Sequence, residues 1–125
     1  GRHRIVVENV GDAWVTMSVD FTNLLPPEQP NLRAYGLANA ERALLWITNR
    51  DDTWWRRRMG KEPRPVRGAA VTLEAMRPGA YAVEWWDTRK GVVTARNTAR
   101  VGDDGLLVLA VPEVEWDVAC KVRRQ

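Results

Sequence analysis

The eleven residues Tyr81 to Gly91, "YAVEWWDTRKG", decide how this chain is read. Neighbours in an extended strand point to opposite faces. Tyr81, Val83 and Trp85 therefore share one face, which we assign to a core. Ala82, Glu84 and Trp86 share the other, and Trp86 becomes a candidate contact residue. Asp87 to Gly91 reads as a turn, because Asp bonds nearby backbone amides and Gly tolerates conformations that side chains forbid. Val92–Val101 then reads as the returning strand.

The same pattern extends along the 125 residues, a length that suits one domain. Short alternating runs at Arg4–Asn9, Ala13–Val19, Arg42–Thr48, Ala69–Met76, Leu106–Val111 and Glu115–Val122 are separated by turn residues. Arg42–Thr48 is nearly all apolar and reads as a central strand. Gly11-Asp12, Arg77-Pro78-Gly79 and Gly102 to Gly105 are turn candidates. Pro26, Pro27 and Pro30 suggest that "FTNLLPPEQPNLRAYGLAN" is an irregular crossing segment. Asn49–Arg67 reads as a long loop with at most one helical turn near Asp52–Arg58. About eight strands and no other helix predict an all-β fold, an antiparallel β-sandwich. Residues 1–32 would hold N-terminal strands and a crossing, with a junction to a preceding domain as one reading, and residues 33–125 the sandwich body.

Composition narrows the function. The single His3 makes a Ser-His-Asp triad implausible, and the single Cys120 excludes thiolate zinc sites and internal disulfides. Cys120 reads as a small core residue, on one face of the final strand with Trp116, Val118 and Val122. No Gly-rich loop precedes a helix. The aspartates at 51, 52, 87, 103 and 104 sit in turn-like sequence, where backbone bonding explains them. We expect no catalysis by this chain alone, no cofactor and no metal. No apolar run approaches a bilayer span of roughly 20 residues, so no membrane partner is expected. The first residue is Gly, and the chain is expected to be either an excised piece of a larger protein or a tagged product after cleavage. No targeting segment is legible, which leaves the compartment open.

Seven Trp among ten aromatic residues is an uneven usage. The densest cluster is Trp54-Trp55-Arg56-Arg57-Arg58, followed by Lys61, Arg64 and Arg67. Its readings are a contact with another domain, where Trp and Arg are favoured anchors, a sugar platform, a nucleic-acid surface, or a solvated loop. The first is preferred and nucleic acid is the least favoured of the binding readings. The net charge of +3 is too mild to demand a polyanion.

The segment Leu73 to Asp87, with its Pro-Gly turn and Tyr-x-Val-x-Trp strand, resembles the corner of immunoglobulin-like sandwiches. There a tyrosine bonds back to upstream backbone, and Tyr81 is the candidate. Trp46-Ile47, Pro78-Gly79, then Tyr81, Trp85, Asp87 and Gly91, then Trp116-Asp117, together resemble a larger arrangement. It is the C-terminal β-sandwich of glycoside hydrolases with a cellulase- or mannanase-type (β/α)8 barrel, a module also labelled collagen-binding-domain-like. The resemblance spans roughly residues 33–124 and implies a non-catalytic accessory domain, partnered by the catalytic domain before it. Trp54, Trp55, Arg56, Arg57, Arg58 and Trp86 would make the contact. The alternatives are a stand-alone carbohydrate-binding module that meets polysaccharide, and a protein- or nucleic-acid-binding module that uses the Trp/Arg loop.

Overall fold

The computed structural model describes the backbone of residues 4–7 and 17–20 and all of residues 31–125. The expected Gly11-Asp12 turn, Trp14 and the prolines at 26, 27 and 30 lie outside those residues. The described chain is all-β and antiparallel, with one short helix. Its elements are β1 (Arg4–Val7), β2 (Met17–Asp20), β3 (Leu32–Ala38), β4 (Arg42–Asn49), α1 (Trp54–Arg58), β5 (Ala70–Leu73), β6 (Gly79–Asp87), β7 (Val92–Val101), β8 (Leu107–Ala110) and β9 (Asp117–Arg124).

Five strands form one sheet in the order β3-β4-β9-β6-β7, while β1 pairs with β2 and β5 with β8. The last strand therefore sits at the centre, between β4 and β6. Alternation selects the covered face. Leu32 and Ala34 of β3, Leu45 and Ile47 of β4, Cys120 and Val122 of β9, and Tyr81, Val83 and Trp85 of β6 are all buried. They share one core with Val71 and Leu73 of β5 and Leu107 and Leu109 of β8. Burying each large apolar side chain contributes about 1.5–3 kcal/mol, so this face carries most of the driving force.

The β6–turn–β7 unit forms as its sequence predicts. Asp87 accepts from the backbone N–H of Arg89 and Lys90, both at 3.0 Å, and Gly91 takes a left-handed φ of 66°. These amide bonds hold the Asp87 carboxyl below its usual range. Tyr81 also behaves as the corner reading expects, its hydroxyl lying 2.9 Å from the Ala40 carbonyl and 2.6 Å from that of Arg77.

Three expectations change. Leu32–Ala38 is a seven-residue strand rather than part of a crossing. The prolines stop at residue 30, and from Leu32 the chain alternates Leu32 and Ala34 inward against Arg33, Tyr35 and Leu37 outward. The strand expected at Ala69–Met76 ends at Leu73, because Ala75 adopts a positive φ of 58° that breaks the extended run. Trp116 does not join the inner face of the final strand, which begins one residue later at Asp117.

The Asn49–Arg67 loop is tied down by one buried polar side chain. Asn49 Nδ2 donates to the carbonyls of Arg64 at 2.7 Å and Glu115 at 2.9 Å. Its Oδ1 accepts from the Asp51 N–H at 3.0 Å. A buried amide is tolerated because its bonds replace those lost to water.

Candidate functional site

The five-stranded sheet has a second face that the core does not use. Directly opposed residues of an antiparallel pair project to the same side, so the register reads as rows across this face. One row runs Tyr35, Trp46, Ala119, Trp86. The next runs Leu37, Leu44, Lys121, Glu84. Tyr35, Leu37, Leu44 and Trp46 are exposed, Trp46 by half of its surface. Trp86 and Ala119 are intermediate. The β3–β4 half of this face is thus an apolar, aromatic surface in water, and Trp86 continues it.

Trp46 is oriented as well as exposed. Its Nε1 donates to Asp117 Oδ2 at 3.2 Å, and the Thr88 hydroxyl donates to the other oxygen of Asp117. One carboxylate thereby couples β4 to the turn after β6. The indole's only donor is spent, which leaves its apolar faces for contact. Tyr35 packs beside it, with ring centroids 6.0 Å apart and planes at 36°. The Arg33 guanidinium donates to the Tyr35 hydroxyl at 3.2 Å. Beyond this row, an open cavity of about 410 Å³ is lined by Arg33, Thr48, Asn49, Arg50, Asp52 and Thr53.

Helix α1 carries five of the six site residues expected from sequence. Thr53 caps it, accepting the Arg56 N–H on its hydroxyl at 3.2 Å. No residue of α1 is buried. Arg57 makes a two-nitrogen contact with the Asp52 carboxylate, which holds the guanidinium's pKa above its ordinary value. The same guanidinium stands over the Trp116 ring at 5.4 Å, as does that of Arg89 at 4.1 Å. This contact accounts for Trp116 outside the core: its ring bridges α1 and the β6–β7 turn. Trp54 and Trp55 are 69% and 61% exposed, with planes tilted by 44°. Arg58 lies over the Trp54 ring at 5.5 Å.

The expected site therefore divides in two. Trp54, Trp55, Arg56, Arg57 and Arg58 come together on α1, whereas Trp86 belongs to the sheet face with Trp46. Sequence reasoning missed Tyr35, Leu37, Leu44 and Trp46. The signal was present in "RALLWIT": Leu44 and Trp46 alternate with Ala43, Leu45 and Ile47, so a strand covered on one face must expose them. Among the described residues no three His, Cys, Asp or Glu side chains gather where they could hold a metal ion, and no helix is long and apolar enough to cross a membrane. Comparison with protein-family models, with curated proteins and with solved structures gives no match to this chain.

Proposed function

We propose that this chain is a non-catalytic accessory domain, an immunoglobulin-like β-sandwich of the kind that follows a glycoside-hydrolase barrel, and that its outer sheet face packs against that catalytic domain. The observation that carries the docking part is the exposed row pair Tyr35–Trp46 and Leu37–Leu44. Contiguous exposed apolar surface is a mark of interaction sites. Two of these four residues are leucines, which suit a protein surface better than a sugar ring. The tilted rings of Tyr35 and Trp46, and of Trp54 and Trp55, offer no flat platform, which weighs against the stand-alone carbohydrate-binding reading. The sandwich assignment rests on the shared core of the large sheet and the β5–β8 ribbon, with the Tyr81 corner. The hydrolase assignment rests on the sequence resemblance.

The test uses the parent protein with Leu44→Glu and Trp46→Ser together. The catalytic domain should melt at a lower temperature in the double variant, while the isolated accessory domain keeps its own transition. Removing two interface anchors corresponds to about 2–4 kcal/mol of lost coupling. An unchanged melting temperature for the catalytic domain, or a parent chain with no barrel-like βα repeat, would overturn the reading.

A further inference from the structure

The sheet face accounts for Trp86 and Trp46 but leaves α1 unexplained. This helix buries none of its residues, so it was not selected for core packing. Capping by Thr53, the Arg57–Asp52 contact and the Arg57–Trp116 stack hold it in place. What it presents outward is Trp54, Trp55 and Met59, each more than half exposed.

Charge around these side chains is one-sided. From Arg56 to Arg67 the chain carries six cations and one acid, Glu62. Two of the cations are matched by carboxylates, Arg57 by Asp52 and Arg67 by Glu113. Arg58, Lys61 and Arg64 are exposed, and Arg58 lies over the Trp54 ring.

The geometry chooses among polyanionic partners. Arg58 overlies one face of the Trp54 ring, and that ring is tilted 44° from Trp55, so the two indoles offer no parallel pair on which successive bases could stack. Two tilted indoles and a flexible methionine, flanked by cations, instead match the profile of a membrane interface. There indoles settle at headgroup depth, and Lys and Arg meet lipid phosphates. The lack of a spanning segment led sequence reasoning to leave membranes out, but a helix lying in the interface needs no span.

We infer that α1 and its cationic flank form a reversible contact for an anionic phospholipid surface. Trp54, Trp55 and Met59 enter the headgroup layer, and Arg58, Lys61 and Arg64 engage phosphates. This inference is independent of the sheet-face docking proposed above.

The experiment is co-sedimentation of the chain with vesicles of phosphatidylcholine, with and without phosphatidylglycerol, together with tryptophan emission. Binding is expected only to the anionic vesicles, with a blue shift, and it should fall as salt rises. Trp54→Ala with Trp55→Ala should abolish the shift. Arg58→Ala, Lys61→Ala and Arg64→Ala together should weaken partitioning by about two orders of magnitude. Circular dichroism should show both variants folded, as expected for exposed positions. No binding to anionic vesicles at low salt would overturn the inference. So would equal binding to neutral vesicles, or binding to single-stranded DNA but not to vesicles.

Discussion

Two polar side chains do disproportionate structural work, and they differ in how visible that work is in the sequence. The hydroxyl of buried Tyr81 has one proton to share between the carbonyls of Ala40 and Arg77. Asn49 joins the end of β4 to two separate backbone segments and to its own loop. Urea unfolding should rank their loss: about 1–1.5 kcal/mol for Tyr81→Phe, and about 2–3 kcal/mol for Asn49→Ala, which strands several buried polar groups at once. Equal costs would mean that the Asn49 bonds are replaced by water. Tyr81 was legible because a Pro-Gly corner stands before it. Asn49 was not, since its partners at Arg64 and Glu115 are 15 and 66 residues away. No local pattern announces such a contact.

Elements depend on the segments that hold them, and α1 shows this most clearly. A five-residue helix is far too short to persist alone. Its order comes from the Thr53 cap, from Asp52 and from the ring of Trp116. Arg57→Ala should release α1 without unfolding the protein. Hydrogen exchange should show faster exchange confined to the amides of residues 56–61, with the global melting temperature unchanged. Global destabilisation would show instead that α1 supports the core. Capping was readable at Thr53, but its anchor Trp116 was not, because 59 residues separate Arg57 from that ring. Strand β3 teaches a related lesson. Pro26, Pro27 and Pro30 dominate its neighbourhood, yet proline restricts only itself and the residue before it. Leu32 onward was free to pair with β4.

At the largest scale, the described residues close one face of the five-stranded sheet and leave the other open. Cys120 reports on the closed side. It is 2% exposed, and burial pushes its thiol up from 9.0 to about 12. The unfolded thiol ionises first as pH rises. This group's contribution to stability is therefore complete below about pH 9 and declines above it, as the unfolded state loses its proton. At neutral pH a thiol reagent should label Cys120 only as fast as the whole domain opens. Labelling at the rate of a free thiol in native buffer would show that the core opens locally around β9.

The sequence by itself determined the all-β class, the β6–turn–β7 hairpin, the inward set Tyr81, Val83 and Trp85, and the short helical turn in the basic loop. These follow from period-two alternation and from what Asp, Gly and Pro do to a local backbone. Tertiary structure alone decided that the last strand lies at the centre of the sheet, that Trp116 leaves the core to meet two guanidiniums, and that Trp86 joins Trp46 rather than Trp54 and Trp55. It also decided that, among the described residues, nothing covers one side of β3 and β4. Alternation states that a strand has two faces, but only strand order and register decide what each face meets.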